Sequence, residues 1–274
     1  MNTTYTKTIG IVCLGGNATS AKTAVKNWRS TYSLPNIDFV FVENGTTEEQ
    51  QAENKEVCLS EGIRRVVGPS QDDMHTPGDK ANVRSMSRCL GAYEVHGEYL
   101  WFVDGDCDPD TKSIGYLEQI LSPEIIVSGR IQFEQDDGSI LGDHREPVFS
   151  KEQGDIIITH NPMMIAEANM AVARAMFYKV GGFNVANYAV NGYCAEGVHF
   201  YWKALCVFLA PLVLHDEIFV THKYHEPSEE KKDAHLNRQP LLDEMRLIAD
   251  REHCYKNPKI MHEYVRCCGG LLRK

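Results

Sequence analysis

The succession of patterns over the first hundred residues constrains this 274-residue chain more than any other feature. Short apolar runs alternate there with segments of helical period. Thr8 to Leu14 reads as a strand broken by Gly15-Gly16-Asn17, and Ala18 to Ser30 as a helix whose Ala21, Ala24, Val25 and Trp28 share one apolar face. Ile37 to Val42 is the next strand, and the turn residues Glu43-Asn44-Gly45-Thr46 lead into an acidic helical segment, Glu48 to Gly62. A strand at Ile63 to Val67, a polar loop at Gly68 to Asp79, a helix at Ala81 to Glu94 and a strand from Tyr99 complete a βαβαβαβ order. Units of this length imply right-handed crossovers between parallel neighbours, so the predicted class is α/β, Rossmann-like, with a mostly parallel central sheet flanked by helices.

The fourth strand carries the chemistry. Tyr99-Leu100-Trp101-Phe102-Val103 is apolar and ends in Asp104, Asp106, Asp108 and Asp110, carboxylates at alternate positions. In an open α/β sheet that end of a strand faces the ligand crevice. Carboxylates crowded there repel one another unless a cation joins them. Mg2+ or Mn2+ takes one or two carboxylates together with substrate phosphates, so the run reads as a metal and diphosphate site. A calcium-binding EF-hand loop is excluded, because Pro109 and Gly115 stand where it needs glycine and glutamate. A phosphatase of the haloacid-dehalogenase type also has two such aspartates at a strand end. Its pair lies on the first strand and lacks an acid at the position of Asp108, which makes it the weaker alternative.

The net charge of -10 argues against nonspecific binding to nucleic-acid backbone, and 43% hydrophobic residues allow a sizeable core. Nine cysteines without a CxxC pair read as free thiols, so a cytoplasmic location is expected. No signal-peptide pattern is seen, and the apolar stretch Ala204 to Leu214 is interrupted by Pro211 and too short to span a bilayer, so no membrane anchor is expected. Past Asp110, strand candidates fall at Glu124 to Arg130, Ile156 to Thr159 and Glu217 to Thr221. Asn237 to Lys274 reads as two helices, with Leu241, Leu242, Met245, Ile248 and Ala249 forming an apolar stripe. The expected organisation is a domain over 1–230, with a nucleotide-binding half 1–110 and an acceptor half 111–230, and a helical C-terminal extension 231–274 packed on it.

Four separated segments together resemble the nucleotide-sugar glycosyltransferases of the GT-A fold, in particular inverting family two, over roughly residues 8 to 226. They are Phe41-Val42-Glu43-Asn44-Gly45-Thr46, with Glu43 where the family has aspartate; Arg88-Cys89-Leu90-Gly91, with Cys89 in place of asparagine; Asp104-Gly105-Asp106, similar to the DXD motif; and Asn169-Met170-Ala171-Val172-Ala173-Arg174 with Val180-Gly181-Gly182-Phe183-Asn184. Downstream, Ala195-Glu196-Gly197-Val198-His199 stands where the family opens a helix with a Glu-Asp pair, the aspartate being Gly197 here. Lys80, Arg84 and Arg88 recur every four residues and share a helix face that would neutralise a diphosphate; the plain alternative is a solvated helix surface.

The resemblance implies a metal-dependent transfer of a sugar from a UDP- or GDP-sugar to an acceptor hydroxyl, with inversion. It assigns the donor to Leu14, Gly15, Glu43, Lys80, Arg84, Arg88, Asp104, Gly105, Asn169, Gly181 and Gly182. Glu196 is the implied general base, against the plainer reading of a carboxylate favouring a helix dipole. Asp106 and one of His222 and His225 are the implied ligands of Mn2+ or Mg2+. The acceptor stays open among glycan, protein, small molecule and modified nucleic-acid base. The class-different alternative is a noncatalytic nucleotide-sugar or carbohydrate binding protein in which Glu43, Cys89 and Gly197 mark lost catalysis.

Overall fold

The computed structural model describes residues 6–15, 20–69, 77–143, 156–185, 196–224, 239–252, 257–260 and 262. Strands β1 (Ile9–Gly15), β2 (Ile37–Glu43), β3 (Arg64–Val66) and β4 (Tyr99–Asp104) are parallel and lie side by side in the order β3-β2-β1-β4. The helices between them follow local sequence chemistry. Helix α1 (Ala21–Tyr32) starts three residues later than its apolar period, because the Ser20 side chain accepts from the Thr23 N–H and caps it; Ala21, Ala24, Val25 and Trp28 are buried. Helix α2 (Glu48–Glu61) opens on a reciprocal Thr47–Gln50 cap and closes on Gly62 at φ 66°, a left-handed position that suits glycine. Helix α3 (Pro77–Glu94) begins before Ala81, with Pro77 in the first turn, where its missing N–H costs nothing.

The second half of the sheet is mixed. It comprises β5 (Cys107–Pro109), β6 (Ile126–Glu134), β7 (Ile140–Asp143), β8 (Ile156–Thr159), β9 (Asn169–Ala173) and β10 (Leu212–Lys223). Helices α4 (Ser113–Ile120), α5 (Arg174–Lys179), α6 (Glu196–Phe208) and α7 (Gln239–Arg251) accompany them. The order continues β4-β9-β6-β10-β5, and β9 runs antiparallel to both β4 and β6. Asn169 to Ala173, which sequence reading treats only as an acceptor-side segment, is thus a fully buried strand in the middle of the sheet. The apolar stretch Ala204 to Leu214 divides at Pro211 between α6 and β10, which makes β10 longer than the strand expected at Glu217 to Thr221. The predicted stripe Leu241, Leu242, Met245, Ile248 and Ala249 is buried, and Trp202 Nε1 of α6 donates to the Met245 carbonyl at 2.8 Å. The second helix expected before Lys274 lies mostly outside the described residues. No helix among the described residues is long and apolar enough to cross a membrane.

One polar side chain fastens the seam between the two halves. Asn169 is buried; its Oδ1 accepts from Trp101 Nε1 at 2.9 Å, and its Nδ2 donates to the carbonyls of Arg130 at 2.8 Å and Ile218 at 3.2 Å. Four adjacent strands, β4, β9, β6 and β10, therefore meet on one amide. Gly129 leaves room for it, since a Cβ there would stand 2.3 Å from Nδ2. Asn169, expected from the resemblance to contact the donor, has its side-chain groups engaged inside the sheet. Asn169→Ala should destabilise the fold by about 3 kcal/mol, because it orphans the buried Trp101 N–H and two carbonyls. Urea unfolding should show a lower midpoint at an unchanged slope.

Candidate active site

The parallel half brings the ends of β1 and β4 together. Leu14 is the register partner of Asp104, and the Gly105 N–H donates to the Leu14 carbonyl at 2.8 Å, so Leu14, Gly15, Asp104 and Gly105 form one lip of the crevice. Arg84 and Arg88, four residues apart on α3, approach this lip. Arg88 is 2% exposed; its Nη2 donates to Asp104 Oδ1 at 2.9 Å and its Nη1 to Glu196 Oε1 at 3.0 Å. Arg84 Nε lies 3.4 Å from the same Glu196 oxygen. The sheet thus unites a helix face, a strand tip and the start of α6. Lys80 lies on α3, with its side chain outside the described residues.

Electrostatics divides these groups. Burial opposes charge on the Arg88 guanidinium, but Asp104, Glu196 and Glu167 outweigh it and raise its pKa. Burial likewise opposes charge on Glu196, yet Arg84 and Arg88 hold its carboxyl below the ordinary value. Arg88 is therefore an internal bridge between two carboxylates, whereas sequence reading pointed it at a diphosphate.

A second group forms where β5 pairs antiparallel with the end of β10. His222 is the register partner of Cys107, which brings its Nε2 to 3.4 Å from Asp106 Oδ2. One ligand atom each from Asp106, Cys107 and His222 lies within 4.8 Å of the others. Burial, then Asp104 and Asp106, push the Cys107 thiol well up, so it stays protonated at neutral pH. The carboxylate and imidazole fit a borderline-hard ion such as Mn2+ better than a thiolate-seeking metal. His225 lies outside the described residues. Asp110 is a turn residue, its Oδ1 accepting from the Lys112 N–H at 2.7 Å ahead of α4.

The remaining predicted residues are dispersed. Glu43 is buried at the end of β2 and holds Arg65 of β3 through two bonds of 2.9 and 2.8 Å. Sequence reading missed Arg65, although an arginine inside the short run Ile63 to Val67 needs an anion nearby. Gly181 and Gly182 have φ of 79° and 63°, the consecutive left-handed turn that glycine permits, directly after α5. That turn packs on α3: a Cβ on Gly182 would stand 3.2 Å from Cys89 Sγ, and Cys89 Sγ donates to the Phe183 carbonyl at 3.8 Å. Lys203 Nζ donates to the Gly182 carbonyl at 2.6 Å. Glu167 was also missed. It is half-buried between the 3-10 turn Pro162–Met164 and β9, and a Cβ added to Gly197 would stand 2.9 Å from its Oε2. The one signal for it was an acid two residues ahead of the Asn169 segment.

No protein-family model matches the sequence, and no curated protein matches it. Among solved structures, the chain is similar to S. aureus TarS, a GT-A glycosyltransferase, with a TM-score of 0.58 and 12% identity over 93% of this chain and 41% of that one. It matches the structure of S. aureus TarS 1-349 with a TM-score of 0.57 and 12% identity, over 93% of this chain and 68% of that one. The chain thus spans less than half of the longer TarS structure. A central multi-strand sheet flanked by helices, built in the same arrangement as these neighbours, gives this chain the glycosyltransferase fold.

Proposed function

We propose that this protein transfers a sugar, with inversion, from a UDP- or GDP-sugar to an acceptor hydroxyl, in a reaction that depends on Mn2+ or Mg2+. The observation that carries the reading is the meeting of Asp104, Asp106 and His222 at the carboxyl edge of the sheet, with His222 delivered to Asp106 by the β5–β10 pairing. The fold shared with TarS supports the reaction class. Cys13, Cys58, Cys89 and Cys107 carry free thiols, which accords with a reducing cytoplasm.

Each residue then has a task. Asp104, fixed by Arg88, presents its carboxylate beside Gly105 where the nucleotide ribose would lie. Asp106 and His222 would hold the ion, which as a Lewis acid stabilises charge developing on the departing diphosphate. Leu14 and Gly15 stand beside Asp104 on the same lip. The acceptor hydroxyl must give up its proton as it attacks from the face opposite the leaving group, and the pair of carboxylates that meet at Gly197, Glu196 of α6 and Glu167 of the turn before β9, offers the acceptor for that proton. Holding both substrates in line contributes the rest of the rate.

Asp106→Ala should abolish nucleoside diphosphate release from a panel of UDP- and GDP-sugars, in a protein that still melts cooperatively. EDTA should silence the unaltered chain and Mn2+ restore it; turnover in EDTA would remove the metal from the reaction. Binding of donors without release over long incubation would favour the noncatalytic alternative. His222→Gln should weaken Mn2+ binding by about tenfold or more, since a direct ligand matters at least as much as its outer-shell partners. The Mn2+-dependent rise in melting temperature measures this.

A further inference from the structure

Glu196, the base implied by sequence resemblance, has poor geometry for the task. It is 0% exposed, and its Oε1 is engaged by Arg88 at 3.0 Å and by Arg84 at 3.4 Å. A general base must reach the hydroxyl it deprotonates. Beside it, Gly197 has no side chain, and the space is filled from another element: Glu167 places Oε2 2.9 Å and its Cβ 3.1 Å from where a Cβ on residue 197 would stand. As a whole residue Glu167 is half-buried where Glu196 is fully buried, although its carboxyl group is itself enclosed beside Gly197. The Oε2 of Glu196 is buried without a hydrogen-bond partner among the described residues.

We propose that Glu167 is the catalytic base of this centre, reaching the acceptor from the turn before β9 through the space left by Gly197, while Glu196 is a positioning anion that holds Arg88 and Arg84. The inference rests on the reading of the site as one of glycosyl transfer. In the step, the acceptor O–H proton passes to the Glu167 carboxylate and the acceptor oxygen forms a bond to the anomeric carbon. The bond from that carbon to the diphosphate oxygen breaks, and its electron pair leaves with the nucleoside diphosphate.

The charges around Glu167 favour this division. Facing it are Glu196 from α6 and Arg84 and Arg88 from α3, with Asp104 behind Arg88. Among these described groups, two guanidinium groups face three carboxylates, Glu196, Asp104 and Glu167. Burial first, and the Glu196 charge second, push its carboxyl up to about 7, whereas Glu196 stays charged. A base matched to neutral pH takes a proton and releases it with little cost in either direction.

The test compares the unaltered chain, Glu167→Gln and Glu196→Gln, following release of nucleoside diphosphate from UDP-glucose, UDP-N-acetylglucosamine and GDP-mannose with Mn2+ and with water as acceptor. The unaltered chain should gain kcat as pH rises to about 7. Glu167→Gln should lose kcat by about a hundredfold, lose that acidic limb and keep the donor KM. A second readout needs no turnover. An acid whose folded pKa stands above its ordinary value of 4.5 costs stability as pH rises through the window up to about 7. The melting temperature of Glu167→Gln should therefore exceed that of the unaltered chain at pH 8 and converge on it near pH 5. If Glu167→Gln keeps kcat and the limb while Glu196→Gln loses both, or if the melting difference ignores pH, the assignment is overturned. If the unaltered chain releases nucleoside diphosphate from none of the donors, the glycosyl-transfer reading falls, and this assignment with it.

Discussion

The buried guanidinium of Arg88 is the constraint on which the site depends. It ties Asp104 at the tip of β4 to Glu196 at the start of α6, two carboxylates that would otherwise repel each other across the crevice. The two arms differ in weight. Asp104 is 29% exposed at its side chain and partly screened by water, whereas Glu196 is 0% exposed, so the Arg88–Glu196 arm is the one whose loss leaves a buried charge uncompensated. Breaking such a pair costs about 3–5 kcal/mol, which is comparable to the net stability of many domains. Arg88 is thus inseparable from the packing of α3 against the sheet, and its charge organises the crevice even though it does not face the open space.

Around that bridge the fold arranges two neighbouring charge systems that touch through Asp104. On one side, Arg84, Arg88, Glu196, Glu167 and Asp104 form a nearly balanced group. On the other, Asp106 and His222 face each other across the β5–β10 pairing. Burial opposes charge on the His222 imidazole, but the hydrogen bond to Asp106 and the charges of Asp106 and Asp104 outweigh it and raise its pKa. Gly105 lies between Asp104 of the one and Asp106 of the other within a single motif.

Much of this was legible in the sequence where the signal is local. The apolar period of α1, the strand Tyr99 to Asp104 and the stripe on α7 all follow from residues within a few positions of one another, and the structure buries each of them. Asp106 and His222, two of the candidate ligands named from sequence, lie 3.4 Å apart. What was not legible depends on distant partners. β5 is three residues long and exists only through pairing with β10, and β9 is a short run rich in alanine with no alternation to mark it. Arg65 and Glu167 acquire meaning only from Glu43 and Gly197, residues on other elements. Asn169 shows the reverse error: a polar residue inside a motif-like segment was read as a ligand contact, when a polar side chain buried in a sheet first has to satisfy its own hydrogen bonds.

The pairing of β5 with β10 has a consequence for how the molecule becomes competent. The two residues facing each other at its end come from positions 106 and 222, and between them the chain must lay down β6, β9 and the whole length of β10. Contacts of such sequence separation form late, because the loop closing them costs entropy before any contact rewards it. The parallel strands of the first hundred residues are joined by short crossovers, whereas the far edge of the sheet closes only when both distant segments are in place. An ion held by both residues would then act as a clasp on the finished sheet, discriminating a fully assembled chain from one whose parallel half alone is in place.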